Sequence, residues 1–190
     1  MRDADHHMAQ TFLLISGSLR QASTSSAILR TSSFVQPKDI QSLTYDGLGR
    51  LPAFNPDEDR QPLNPDVETL REAIHRSDAV VFSTPEYAGA LPGSLKNLLD
   101  WTIGDDQQGS IYGKPVAWLN VSPRGAEGAH RELRTVLGYA HARIVDAACA
   151  RIPLSPLMVG PDGLVSDDAA RAALADALYS LSTALTPTQA

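Results

Sequence analysis

The sequence predicts an α/β fold in which a parallel sheet of five strands carries helices on both faces. Two features of the chain predict this class. Short apolar runs alternate with segments whose apolar residues recur at helical spacing, which is the element order of a doubly wound sheet. The runs at residues 11–15 and 79–83 are apolar without alternation, as in strands buried on both faces. Right-handed crossovers then favour the flavodoxin-like strand order 2-1-3-4-5.

The first half of the chain contains three predicted strands and two predicted helices. A strand at residues 11–15 leads into a helix at 23–34, and a weaker strand at 38–44 suits a sheet edge. A long connection at 46–65 holds four prolines and an acidic run. The cap-like sequence Asn64-Pro65-Asp66 then begins a second helix, which precedes the strand at 79–83.

The second half alternates in the same way. Pro92 opens a helix, a strand follows at 116–121, and a helix begins near Ala129. Residues 142–148 are the last predicted strand, and a proline-rich connector spans 153–161. Ser166 is expected to cap a terminal helix with leucines along one face.

Length and composition indicate an ordinary globular protein. The chain has 190 residues, 43% hydrophobic and 20% charged, which predicts one domain over residues 11–190 after a flexible N-terminal segment, residues 1–10. The net charge of -6 argues against nucleic acid and membrane partners. No run is long enough to span a membrane, no signal peptide pattern opens the chain, and Cys149 is a single cysteine, so a cytoplasmic location is expected. The five histidines lack metal-ligand spacing, so no metal is expected.

The loop after the first strand is a candidate phosphate-binding loop. Gly17 allows the backbone to approach a ligand closely. The hydroxyls of Ser18, Ser23 and Ser25 are possible hydrogen-bond donors, and the guanidinium of Arg20 can donate two hydrogen bonds to an anion. The first turn of the following helix adds unpaired N–H groups and a favourable dipole. Neither G-x-x-x-x-G-K-[ST] nor G-x-G-x-x-G occurs, which excludes the two commonest nucleotide fingerprints. From this loop alone, a polar connection that binds nothing is an equal alternative.

A second loop, after the strand at 79–83, strengthens the functional interpretation. Residues 17–25 read G-S-L-R-Q-A-S-T-S, and residues 85–101 read P-E-Y-A-G-A-L-P-G-S-L-K-N-L-L-D-W. Together they resemble the NADPH-dependent FMN reductase family, whose signatures are G-S-L-R-x-x-S-x-N and P-E-Y-N-x-x-x-P-G-x-L-K-N-x-x-D-W. Ser25 and Ala88 stand where those signatures have Asn, so two amides are missing near the expected cofactor.

The resemblance implies noncovalent FMN. Ligands bind beyond the carboxyl ends of the strands at the switch point of such a sheet, which is where both loops would lie. A third loop at 122–128 is also rich in small residues, and its backbone is expected near the ring, although a simple turn is an equal alternative. The expected phosphate contacts are Ser18, Arg20, Ser23 and Ser25. The expected contacts around the flavin ring are Pro85, Glu86, Tyr87, Ala88, Ser122 and Gly125.

The implied activity is transfer of electrons from NAD(P)H to a quinone, flavin, azo dye or chromate by a ping-pong mechanism. The cofactor carries that chemistry, so no catalytic side chain is named. The resemblance also implies a homodimer or homotetramer and places the 46–65 connection near the flavin and a subunit interface. Alternatives are an FMN-binding electron carrier without NAD(P)H turnover and a flavin-free hydrolase, although no G-x-S-x-G elbow occurs.

Three residues of the second motif have structural interpretations as well. Glu86 is expected to fix its loop or contact another subunit rather than act as an acid or base. Asn97 is at least as well suited to tying down the loop that precedes its helix as to contacting a cofactor. Trp101 is expected in packing or an interface rather than against the flavin.

Overall fold

A parallel sheet runs through the middle of the part of the chain that the computed structural model describes, residues 9–186. Most of the segment predicted to be flexible, residues 1–8, lies outside the described residues, and Gln10 already belongs to the first strand. The strands are β1 Gln10–Ser16, β2 Ile40–Tyr45, β3 Ala79–Ser83, β4 Pro115–Asn120, β5 Arg143–Ile144 and β6 Ala150–Arg151. The helices are α1 Thr24–Val35, α2 Pro65–His75, α3 Gly93–Asp100, α4 Glu127–Tyr139 and α5 Asp168–Leu185.

The strand order confirms the predicted doubly wound topology. The sheet runs β2-β1-β3-β4-β5, with β6 also paired to β4, and every pairing is parallel. In the register of β1 and β3, Ser16 lies opposite Ser83, so the two strands end side by side. The loops that follow them therefore leave the sheet at neighbouring points, beside the end of β4.

Two apolar cores cover the two faces of the sheet. Successive strand residues point to opposite faces, so Phe12 and Leu14 pack on the α1 and α5 side while Leu13 and Ile15 pack on the α2, α3 and α4 side. All four side chains are buried. Helices on both faces explain why the strand sequences are apolar without alternation.

The strand predicted at 142–148 is wrong in detail, because the fifth position of the sheet is divided. β5 has two residues, a 3₁₀ turn follows at Asp146–Ala148, and β6 then resumes pairing with β4. Val145 and Ala148 both enter the core beside α5. In a continuous strand, residues three apart would face opposite sides, so the turn is what places both inside.

The cap predicted for the last helix is displaced by one residue. Asp167, not Ser166, accepts a hydrogen bond from the backbone N–H of Ala170 at 2.8 Å. The Ser166 hydroxyl instead donates to the carbonyl of Met158, which closes the preceding turn. The carboxylate is also the better partner for the positive end of the helix dipole.

The long connection at 46–65 is held against α3. The Asn97 side chain accepts from the N–H of Phe54 and donates to the carbonyl of Pro52, both at 2.8 Å. The indole of Trp101 also donates to Pro52, at 2.9 Å, and meets the Phe54 ring edge-on. Asn97 therefore ties down the 46–65 connection rather than the loop that precedes α3, and the fully buried Trp101 has its predicted packing role.

Candidate active site

A cleft of about 300 Å³ lies at the carboxyl end of the sheet, where the first turn of α1, which follows the β1 loop, meets the loops after β3 and β4. Each of these loops follows a buried strand, so the rigid sheet determines where the loop begins. The cleft is lined by Thr24, Ser25, Thr84, Pro85, Glu86, Val121, Ser122, Pro123, Arg124 and Ala126. This is the switch-point position at which doubly wound sheets bind ligands.

The first loop is joined to the second through Gly17. Its N–H donates to the carbonyl of Ser83 at 2.8 Å. A Cβ added at Gly17 would lie 2.4 Å from the Thr84 hydroxyl oxygen and 2.8 Å from a methyl carbon of Leu95. Only glycine fits this crossing, because the neighbouring atoms belong to buried side chains.

Hydroxyl groups shape the first loop around the start of α1. The Ser16 and Ser26 hydroxyls are 2.9 Å apart, the N–H of Ser18 donates to Ser16 Oγ, and the N–H of Arg20 donates to Ser18 Oγ, both at 3.3 Å. Ser23 occupies the N-cap position but makes no side-chain capping hydrogen bond, and the first turn of α1 carries no acidic residue. The loop therefore leads into a helix whose own first turn carries no carboxylate.

The ten predicted site residues do not all reach the same cavity. Ser25, Pro85, Glu86 and Ser122 line the cleft. Ser23 instead lines a neighbouring cavity of about 460 Å³, formed with Arg30 and the connector at 156–163. The two cavities meet at Thr24, which lines both.

The other predicted residues belong to the same three loops without lining the cleft. Ser18 is buried within the first loop, and Arg20 is exposed on it. Tyr87 and Ala88 form a projecting turn of the second loop, and Gly125 is a backbone hinge of the third.

The second loop contains a tight hairpin, residues 87–90. Tyr87 and Ala90 exchange backbone hydrogen bonds at 3.0 and 3.1 Å. Ala88 and Gly89 between them both have positive φ, 51° and 77°, as a type I′ turn requires. Asn-Gly is the preferred pair in such turns, so the family signature's Asn suits this conformation and Ala88 bears it with strain.

The carboxylate of Glu86 fixes the start of this hairpin to α4. Glu86 Oε2 accepts from the N–H of Ala129, in the first turn of that helix, at 3.0 Å. An acid at this position also complements the helix dipole. The loop-fixing role predicted for Glu86 is confirmed.

The third loop is organised by Asn120, a residue that the sequence patterns did not single out. Its side chain donates to the carbonyl of Gly125 and accepts from the N–H of Ser122, both within 3.0 Å. Gly125 and Ala126 have positive φ, 97° and 49°, so the chain turns sharply into α4. A polar residue at the end of an otherwise apolar strand was the available signal.

Burial alters the pKa values of two titratable groups, His130 of α4 and Cys149 just before β6. Burial lowers the pKa of His130, whose Nδ1 is 2.8 Å from the carbonyl of Ala126 and whose Nε2 has no hydrogen-bond partner among the described residues. The imidazole is therefore neutral near pH 7 with its proton on Nδ1. Burial raises the pKa of Cys149 to about 11, so this thiol remains protonated and unreactive, as expected for a structural cysteine.

The described residues contain no metal-ligand cluster, and none of their helices is long and apolar enough to cross a membrane. Sheet order, switch-point cleft and paired loops together define a flavodoxin-like protein.

Comparison with known proteins identifies the family. The family model of the NADPH-dependent FMN reductases matches residues 11–153. A quinone reductase from Pseudomonas putida is 34% identical over 142 residues, 74% of this chain and 73% of the relative. An NAD(P)H-dependent FMN reductase from Pseudomonas aeruginosa is 32% identical over 169 residues, 88% of this chain and 90% of the relative. The solved structure of FerB, a flavoenzyme NAD(P)H:acceptor oxidoreductase from Paracoccus denitrificans, has a TM-score of 0.73 and 25% identity, covering 92% of this chain and 98% of that one.

The chain belongs to the NADPH-dependent FMN reductase family. It is an oxidoreductase with FMN as its cofactor and NAD(P)H as its co-substrate. The flavin-free hydrolase and the electron carrier without nicotinamide turnover are therefore set aside.

Proposed function

We propose that this enzyme passes electrons from NAD(P)H to quinones, or to similar small acceptors such as flavins, azo dyes or chromate, at the cleft between the start of α1 and the loops after β3 and β4. The observation that carries the proposal is the convergence of the first turn of α1 and the loops after β3 and β4 on one cleft. Relatives named quinone reductase and 2-hydroxy-1,4-benzoquinone reductase support a quinone as the acceptor. FMN supplies the redox chemistry that the side chains lack.

The residues at the start of α1 fit the phosphate of FMN. Ser18, Ser23 and Ser25 offer hydroxyl donors and Arg20 a guanidinium, while the first turn of α1 carries no acid to repel an anion. The unsatisfied N–H groups and dipole of the helix favour the same ligand. We assign these four side chains to the phosphate.

The walls of the cleft fit a flat heterocycle. Pro85 lines the cleft from the loop after β3, and Ser122 lines it from the loop after β4. The hydrogen bond of Glu86 to the N–H of Ala129 in α4 fixes the Glu86 side chain. Tyr87, Ala88 and Gly125 belong to the backbone turns that flank this space. We assign these six residues to the ring and its surroundings, where they orient the cofactor and limit access of water.

A shared cleft implies sequential use by the two substrates. The nicotinamide donor and the acceptor are proposed to occupy the open face in turn, which is a ping-pong mechanism. Parallel lines in double-reciprocal plots at several acceptor concentrations are expected. Intersecting lines would require both substrates to bind together and would contradict this order.

Removal of Arg20 tests the phosphate assignment. Arg20→Ala should weaken FMN binding by about 10- to 100-fold, the usual value of one charged hydrogen-bonding group. Titration of the apoprotein with FMN measures this. Arg76→Ala is the matched control, because Arg76 is an exposed arginine at the C-cap of α2 that pairs with Glu72. Equal FMN affinity of R20A and wild type would contradict the assignment.

A homodimer or homotetramer is also proposed, on the resemblance to the family alone. Sedimentation equilibrium of the FMN-loaded protein tests it, and a monomer at micromolar concentration would contradict it.

A further inference from the structure

We infer that Glu132 of α4 is a positioning residue that holds the hairpin at 87–90 beside the cleft. The inference deepens the proposed function, since it concerns the wall of the site in which donor and acceptor are proposed to bind.

The first observation is a hydrogen bond between residues far apart in the chain. Glu132 Oε2 accepts from the N–H of Leu91 at 2.8 Å. Leu91 is buried directly after the hairpin, and Glu132 is half-buried on the second turn of α4. A charged acceptor makes this bond stronger than an ordinary amide–carbonyl bond.

The second observation is that α4 grips the other end of the hairpin as well. Glu86, just before the hairpin, accepts from the N–H of Ala129 on the same helix at 3.0 Å. One carboxylate therefore reaches from the loop to the helix, and the other reaches from the helix to the loop. The hairpin lies between these two attachments.

The third observation is direct contact between helix and hairpin backbone. A Cβ added at Gly128 would lie 2.1 Å from the carbonyl oxygen of Gly89 and 3.0 Å from Glu86 Oε2. The hairpin thus rests on the first turn of α4, at a place where that helix has no side chain.

The hairpin depends on these attachments for its position. Within residues 9–186, a single β-bridge, Tyr87–Ala90, closes it, and Ala88 is strained at a positive φ. A hairpin this short is not stable alone. Pro85 and Glu86, which line the cleft, directly precede it, so motion of the hairpin alters the cleft wall. Glu132 therefore acts on substrate binding through the hairpin and touches no reacting atom.

The FMN-loaded enzyme with Glu132→Ala and Glu132→Gln substitutions tests this inference. E132A should speed hydrogen exchange in peptide 85–92 by about two- to tenfold, as loss of one hydrogen bond predicts. Its KM for the quinone should rise about three- to tenfold with kcat within about twofold of wild type. E132Q keeps an oxygen acceptor for the Leu91 N–H but loses the charge, so it should reverse most of both changes. Glu68→Ala, which removes an exposed carboxylate from α2, is the matched control.

A second variant disturbs the same contact from the other side. Gly128→Ala places a methyl group against the Gly89 carbonyl and should reproduce both the faster exchange and the raised KM. A merely structural role for Glu132 would lower Tm without rescue by glutamine and without a separate rise in KM.

Three results would overturn the inference: wild-type exchange at 85–92 in E132A, an unchanged KM despite faster exchange, or failure of E132Q to restore most of the behaviour of the wild type. Failure of the proposed function looks different. Wild-type enzyme would then not oxidise NAD(P)H with quinone, while the exchange data would still decide whether Glu132 holds the hairpin.

Discussion

The two ends of the sheet differ in how fully their polar groups are paired among the described residues. At the amino end, buried Lys114 donates to the carbonyl of Ser77 at 2.6 Å, and burial lowers its pKa. There too, Asp78 accepts from the N–H of Thr11 at 2.7 Å. At the carboxyl end, Ser23 stands at a helix N-cap without a side-chain capping bond.

This difference separates stability from function in one molecule. Polar groups that bond to one another stabilise the folded state, whereas donors left unpaired at the wall of a cavity can bind a ligand. The helix that leads into the amino end, α2, adds Arg71, which donates to the carbonyl of Trp101 at 2.8 Å and to Asp59 at 2.7 Å. Changes at the amino end should therefore alter stability, and changes at the carboxyl end should also alter ligand binding.

The largest expected effect is on stability, from Arg71→Ala. Arg71 and Asp59 are nearly buried, with side chains 9% and 11% exposed, and the change leaves Asp59 without its partner. The free energy of unfolding should fall by about 3–5 kcal/mol, as for other broken buried pairs. Urea unfolding measures it, and FMN affinity of the folded fraction should be unchanged. Arg76→Ala, in an exposed pair on the same helix, should cost at most about 1 kcal/mol.

Gly17→Ala should affect both properties. Its Cβ would collide with Thr84 and push the first loop away from β3. A loss of about 1–3 kcal/mol of unfolding free energy is expected, together with weaker FMN binding in the same protein. Gly138→Ala is the control, because a Cβ there meets nothing within 4 Å. Unchanged FMN affinity in G17A would contradict the prediction that the close contact between Gly17 and Thr84 positions the phosphate-binding loop.

A smaller effect, a gain in stability, is expected from Ala88→Asn. Asn tolerates the left-handed conformation that Ala88 adopts at φ 51°. The free energy of unfolding should rise by about 0.5–1 kcal/mol, a part of the usual strain of such a residue. Ala53→Asn, an exposed loop alanine, is the control and should change little. Thermal unfolding distinguishes the two, and a loss of stability in A88N would contradict the turn assignment.

The smallest expected effect, from His130→Gln, is on how steeply the free energy of unfolding depends on pH. Burial lowers the pKa of His130 from its ordinary value of 6.5, so the unfolded chain binds the proton more readily than the folded one. His130 therefore makes the free energy of unfolding fall as the pH drops through 6.5 towards the lowered value. His130→Gln should make the curve flatter over this range. Identical slopes for H130Q and wild type would show that the pKa of His130 does not contribute to the pH dependence of the unfolding free energy.

Local pattern was enough for most of the fold. Neighbouring residues determine the apolar runs of β1 and β3 and the helix cap at Asn64, so the sequence predicts these elements. The division of the last strand was not readable. It depends on Val145 and Ala148 both meeting α5, a helix that comes later in the chain.

In the candidate site, too, local patterns predict some features, and contacts between distant residues determine the others. Topology placed the loops after β1 and β3 together, as predicted, because parallel strands end at one side of the sheet. Asn120 and Glu132 belong to no recognisable motif, and Glu132 acts on Leu91 across 41 positions of the chain. No local pattern encodes such a partner.

The sequence by itself determined the sheet order and the loops that carry the two motifs, since periodicity and chirality act on neighbouring residues. Tertiary structure alone decided that Gly17 crosses Thr84, that Ser23 faces a second cavity and that α4 grips the hairpin. These outcomes depend on distances between atoms of separate helices, strands and loops. Close packing determines those distances, and it exists only in the folded chain.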